Sequence, residues 1–202
     1  MSAQGRVYDR GVGERRLELL RALALATVST TSADETCRRA ADVLAGYAKE
    51  FPFVLLFLVD EAGTTARLTA RAGLEPGARA APAQVSLDHD DTDNTGWPLA
   101  KARATGVRIE VLDVERRFGP VHVGTSAEPI ARAVIVPLHG PEAPPLGFLV
   151  AGLGPHGSLA EHETDELGEL IAIQLASTLG HVRAFEAERQ RLQVLDRKST
   201  RL

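Results

Sequence analysis

The residues most able to do chemistry in this chain fall into four groups, and each group lacks a part. Gly152-Leu-Gly154-Pro-His-Gly157 has the G-x-G-x-x-G spacing that lets backbone amides approach a pyrophosphate. Such a site needs a βαβ unit and a further strand carrying an acidic residue. Here the pattern runs on into one long helix, and Pro155 has no amide to offer, so the glycines read as a turn. Asp91-Thr-Asp-Asn-Thr-Gly96 has the opening of a calcium loop, but the twelfth position, where a bidentate Glu is required, is Ala102. It reads as a solvated acidic loop. Cys37 is the only cysteine, which excludes an internal disulfide and an all-cysteine zinc site. Its setting, between Thr36 and Arg38 in a helical pattern, is that of a small half-buried residue. His89, His122, His139 and His156 are scattered over loops without partners at metal-ligand spacing. No nucleophile–base pair is visible, so an enzyme is the least favoured class and no metal is expected.

Composition agrees with a soluble globular protein: 44% hydrophobic and 25% charged residues over 202 positions. A net charge of −4 without a basic stripe speaks against nucleic acid. The longest apolar run, Phe51 to Val59, is far shorter than the roughly 18 residues a membrane span needs. Arg6, Asp9, Arg10 and Glu14 interrupt any signal-peptide core. The expectation is a cytoplasmic protein that contacts neither nucleic acid nor membrane.

The elements that would position any site follow from periodicity. Residues 1–13 are polar and Gly-punctuated and read as a disordered leader. Glu14 to Val28 reads as a helix with Leu17, Leu20, Ala24 and Val28 on one stripe, widened by Leu19, Leu23 and Leu25. Ser32-Ala-Asp-Glu35 is a capping-box pattern that starts a second helix ending near Lys49. Phe53 to Val59 is too continuous for a strand with one wet face and reads as a central strand buried on both. Asp60 to Gly63 is turn chemistry, returning through a strand at Thr65 to Arg71. Gly73 to Ala83 is loop, Gln84 to Leu87 a short strand, Gly96 to Thr105 a short helix stopped by Gly106, and Val107 to Val111 a strand. Glu115 to Pro129, with few periodic apolar residues, reads as a functional or mobile loop. Ala131 to Leu138 and Phe148 to Leu153 form a closing hairpin, and Ser158 opens the long last helix. Hairpin turns dominate, so the class is α+β in one domain with a largely antiparallel sheet.

Two surfaces stand out. The sheet's second face, left over once the first, second and last helices cover the other, has only the short helix and the 115–129 loop to cover it. If a small molecule binds, it belongs there, with Phe57, Trp97 and Phe118 as walls and His122 and Ser126 as polar groups. The alternative, that Trp97 and Phe118 simply fill a core, stays open. On the last helix, Leu167, Ile171, Leu175, Leu179, Val182, Phe185, Leu192 and Leu195 lie near one stripe. No sheet remains beyond Phe185, so Leu192 and Leu195 need another partner, and a parallel dimer supplies one. With Leu17, Leu20, Val182 and Phe185, these residues are the expected dimer and signalling surface.

The stretch WPLAKARATG at 97–106 followed by VRIEVLD at 107–113, together with ARAVIVPL at 131–138 and LGFLVAG at 146–152, resembles a GAF domain over roughly residues 15–185. The resemblance implies a central antiparallel sheet with the terminal helices on one face and a cross-helix plus loops on the other. Residues 14–185 would be the sensory domain. Residues 185–197 (FEAERQRLQVLDR) look like the linker to a histidine-kinase core, as in actinobacterial sensor or hybrid kinases, and 186–202 would be that helical linker. The expected partners are then a second copy and a kinase module outside these residues. His162-Glu163 is similar to the start of a kinase phosphoacceptor motif, but Thr164-Asp-Glu-Leu167 follows where the motif carries Pro-Leu, so His162 reads as a surface histidine. Chromophore-binding GAF domains carry their cysteine elsewhere than Cys37. GAF-type methionine-sulfoxide reductases depend on several cysteines, and the cyclic-nucleotide residue set is not recognisable. No cofactor is expected. A degenerate GAF serving as a ligand-free dimerisation spacer is the alternative reading.

Overall fold

A computed structural model describes residues 3–88, 95–124, 126, 128–139, 143–154 and 161–199, with side chains from 13 in the first helix and from 166 to 192 in the last. Along the chain run α1 (Ala3–Thr27), α2 (Ala33–Ala45), β1 (Val54–Val59), β2 (Thr65–Ala72), β3 (Gln84–Ser86), α3 (Leu99–Thr105), β4 (Ile109–Val111), α4 (Val114–Phe118), β5 (Arg132–Leu138), β6 (Gly147–Leu153) and α5 (Glu161–Ser199). The strands form one sheet in the order β3-β2-β1-β6-β5-β4. Every pairing is antiparallel.

The continuous apolar run of β1 explains its place near the middle of the sheet. Its alternating side chains serve two separate cores. Val54, Leu56 and Leu58 face a core made with α1, α2 and α5. Phe53, Leu55, Phe57 and Val59 face the other, with Trp97, Leu99, Val114 and Phe118. Strands β5 and β6 divide the same way, Val136 and Leu149 to the first core, Ile135 and Phe148 to the second. The expected layering, terminal helices on one face and cross-helix plus loops on the other, is what the structure has.

The helix boundaries have local causes. Ser32 caps α2, its Oγ accepting from the Glu35 amide at 3.2 Å. The Glu35 carboxylate reaches back to the Thr31 amide at 3.2 Å, one residue earlier than a capping box would place it. That amide, with Arg39 next, holds the Glu35 carboxyl below its ordinary range. Gly106 stops α3 in the left-handed conformation, φ 65°, with its amide on the Ala102 carbonyl.

Two expectations need correction, the leader and the 115–129 loop. Residues 3–13 are helical, not a disordered leader: α1 extends back to Ala3, because propagation from an anchored turn adds a hydrogen bond per residue without a new nucleus. The core-facing line of α1 is Leu19, Leu23 and Thr27, while Leu17 is 64% exposed and Leu20 half-buried. Both lines satisfy the helical period, and packing on α2 and α5 selects between them. The 115–129 segment is not all loop, since Val114 to Phe118 forms α4, fixed by an Arg117–Asp113 ion pair at 2.7 Å one turn apart.

Candidate functional site

The cover over the second sheet face is built from Trp97, α3, α4 and the loop around Ala80. Trp97 is its centre, 1% exposed. Its indole Nε1 donates to the Ala80 carbonyl at 2.7 Å, satisfying the one polar atom of a buried ring. The ring lies 4.5 Å from that of Phe118 at 37° and 6.1 Å from that of Phe53 at 50°. Arg117, with a largely buried side chain, joins this layer to the chain before Trp97, its guanidinium donating to the Gly96 carbonyl at 2.8 Å and to Asp113. On the other side of the cover, Arg103 of α3 donates to the Gly63 carbonyl in the β1–β2 turn.

Phe57, Trp97 and Phe118, expected as walls, do come together in one core as packed side chains. His122 and Ser126 are exposed on the segment beyond Phe118. Ser126 Oγ donates to the Glu128 carbonyl at 3.2 Å. That segment is anchored by the buried Val121, whose carbonyl accepts from the Ile130 amide at 2.8 Å. Sequence reasoning missed Ala80, Arg103 and Arg117. The Asp113–Arg117 spacing was the one legible sign. The calcium-like residues 91–94, His89, His156 and the end of the G-x-G-x-x-G stretch lie outside the described residues, as do the side chains of His162 and Leu195. Among the described residues no group of three His, Cys, Asp or Glu is placed to hold a metal. Among them, too, no helix is long and apolar enough to cross a membrane.

Cys37 is buried in the first core, 1% exposed. Burial foremost, then the Asp34 charge, pushes its thiol up to about 12. At neutral pH its thiol is held in the protonated form.

The second surface is the α1–α5 face. Among the described side chains of α5, Val182 is the last buried one of the stripe, and Phe185 and Leu192 are each 58% exposed. A groove of about 500 Å³ runs between the end of α1 and α5, lined by Val28, Thr31, Thr178, Val182 and Phe185 among others. Arg183, next to the last buried residue, donates to the Val59 carbonyl at 2.8 Å.

No family model matches the sequence. Nor does any curated protein. Solved structures match well. The GAF domain of a phosphoenolpyruvate-protein phosphotransferase from Coxiella burnetii is 19% identical, with a TM-score of 0.60 over 85% of this chain and 96% of that one. Residues 122 to 287 of a methyl-accepting chemotaxis protein are 18% identical, with a TM-score of 0.59 over 82% of this chain and 99% of that one. Free methionine-R-sulfoxide reductase from Neisseria meningitidis, solved with its substrate, is 22% identical, with a TM-score of 0.57 over 91% of this chain and 95% of that one. The fold is therefore GAF-like, a six-stranded antiparallel sheet between two helical layers.

Proposed function

We propose that this chain is a non-catalytic sensory or regulatory module that relays binding of a small molecule or partner through α5. The observation that carries the reading is the exit of α5 from its own core. The helix is sheet-facing as far as Val182 and then continues to Ser199 with Phe185 and Leu192 exposed. A single helix with an uncovered apolar stripe needs a partner, and a second copy of the chain, in parallel, satisfies both the α5 stripe and the exposed Leu17. The fold shared with domains of a chemotaxis protein and of a phosphotransferase supports a regulatory role.

The output is a histidine-kinase module of a two-component system, joined through the 186–202 linker, in the cytoplasm. Input acts at the cover around Trp97 and the segment bearing His122 and Ser126. A ligand that prefers one arrangement of that segment shifts the population of α5 states by its differential affinity. The Cys37 thiol, buried and protonated, fits a module without covalent chromophore, and no haem is expected.

One observation favours a second reading. Phe57, Trp97 and Phe118 lie in one apolar cluster on the second sheet face, the Trp97 and Phe118 rings 4.5 Å apart. A ligand-free dimerisation spacer would look the same. Native mass spectrometry of the purified chain separates the two. A retained small molecule on a dimer supports the sensor, a bare dimer supports the spacer, and a bare monomer removes both. A visible-region absorption band or a Soret band would overturn the expectation of no pigment.

A further inference from the structure

The β1–β2 turn is tied to both helical layers at once. On the cover side, the guanidinium of Arg103 in α3 donates to the Gly63 carbonyl. On the opposite side, Arg183 of α5 donates to the Val59 carbonyl at 2.8 Å. The residues between these two carbonyls form one stiff loop. Asp60 Oδ1 accepts from the Thr64 amide at 2.9 Å and the Thr65 amide at 3.2 Å. The Asp60 amide donates to the Thr65 carbonyl at 2.9 Å and the Gly63 amide to the Asp60 carbonyl at 3.1 Å. Gly63 sits at φ 74°, which favours glycine for the turn, and a Cβ there would lie 3.1 Å from the Arg103 guanidinium and crowd its approach. Val59 is itself fixed to the sheet by its amide on the Leu146 carbonyl at 3.0 Å.

The two arginines stand at informative places. Arg103 is on the helix that begins two residues after Trp97, the centre of the cover. Arg183 follows Val182, the last buried residue of the α5 stripe, so its hydrogen bond lies where α5 leaves the core.

We infer that the β1–β2 turn is a relay: displacement of the cover moves Gly63 through Arg103, the Asp60-braced turn carries that movement to Val59, and Arg183 passes it to α5. A chain of hydrogen bonds through a stiff element is the kind of physical connection that coupling between distant layers requires. The inference rests on reading α5 as the output element, but it concerns coupling within the chain and not what binds.

Hydrogen exchange on the whole chain tests it, using R103Q, R183Q and the double variant. Loss of a charge-assisted hydrogen bond at a part-buried site should speed local opening about three- to tenfold. The expected result is that R103Q speeds exchange of α5 amides at 179–187, that R183Q does the same, and that the double variant exceeds R183Q by less than twofold, about the scatter of independent sites. Acceleration by R103Q confined to α3 and the turn, or fully multiplicative effects in the double variant, would overturn the relay. If R103Q does not fold, R103K is read by the same criterion, since lysine keeps the charge and stem but loses the planar fork. A retained ligand in native mass spectrometry with no α5 response to R103Q would sink the relay and leave the sensor standing. A coupled α5 on a bare dimer would do the reverse.

Discussion

Replacing Trp97 with Phe tests whether the cover is a packed layer. The ring is 1% exposed, and its Nε1 is the donor to the Ala80 carbonyl. Phenylalanine removes that donor and leaves the carbonyl in an apolar setting, at a cost of about 1–3 kcal/mol. It also withdraws the indole's second ring from contact with Phe118 and Phe53, leaving a small void worth about 1–2 kcal/mol more. The sum is about 2–5 kcal/mol. For a domain of this length each kcal/mol lowers the melting temperature by about 2–4 °C. The expected loss is therefore roughly 4–20 °C, and W97A should lose more than W97F. Thermal unfolding followed by far-ultraviolet circular dichroism is the assay, because Trp97 is the only tryptophan and its fluorescence disappears in the variant. In the wild-type chain the same uniqueness provides a check, since emission should be blue-shifted and poorly quenched by acrylamide. A W97F midpoint within error of wild type, or strongly quenched wild-type emission, would refute the packed cover.

Self-association should follow the α5 stripe. Burying an apolar side chain of this size contributes about 1.5–3 kcal/mol, so F185E with L192E should abolish a dimer seen by sedimentation equilibrium, and wild-type monomer at high micromolar concentration would end the dimer proposal. Cys37 should make the fold sensitive to alkali. Its thiol ionises near 9.0 when unfolded and near 12 when folded, so its contribution is complete below pH 9 and is lost as pH rises toward 12. C37A should lose less stability than wild type between about pH 8.5 and pH 10.5, by up to about 2 kcal/mol, measured by urea denaturation at each pH. Asp60 gives the opposite slope. Its carboxyl is held below its usual value by the Thr65, Thr64 and Gly63 amides, so its contribution is present above about 3.8 and fades as pH falls through the lower folded value, and acid titration of D60N should lack that limb. Gly152→Ala would set a Cβ 2.5 Å from the Phe53 ring and should destabilise by about 1–3 kcal/mol in the same denaturation assay.

What could be read in advance was whatever depends on neighbours along the chain. The unbroken Phe53–Val59 run revealed a strand buried on both faces, Ser32 and Glu35 announced α2, and the α5 stripe located where sheet contact ends. The side of α1 that meets the core was not legible, because Leu17, Leu20 and Val28 repeat as well as Leu19, Leu23 and Thr27 do. Packing against α2 and α5 decided it. The cover's fastenings were hidden for a different reason. Trp97 to Ala80, Arg103 to Gly63 and Arg183 to Val59 are side chains meeting backbone carbonyls across 17, 40 and 124 positions, and a backbone acceptor has no residue type to betray it. His122 and Ser126 were expected at the cover from their polar chemistry and their place in the 115–129 segment, and the structure leaves both exposed.

The continuous α5 also acts as an angular vernier. Between Val182, the last buried of its described side chains, and Ser199 the helix adds about 25 Å of length. Each residue in that stretch turns the far end by about 100°. One added residue would point anything fused there in a different compass direction, whereas seven would restore the bearing to within about 20°. Output from such fusions should therefore rise and fall with the number of residues inserted after Val182, on a period near that of the helix, while the distance from the core only grows.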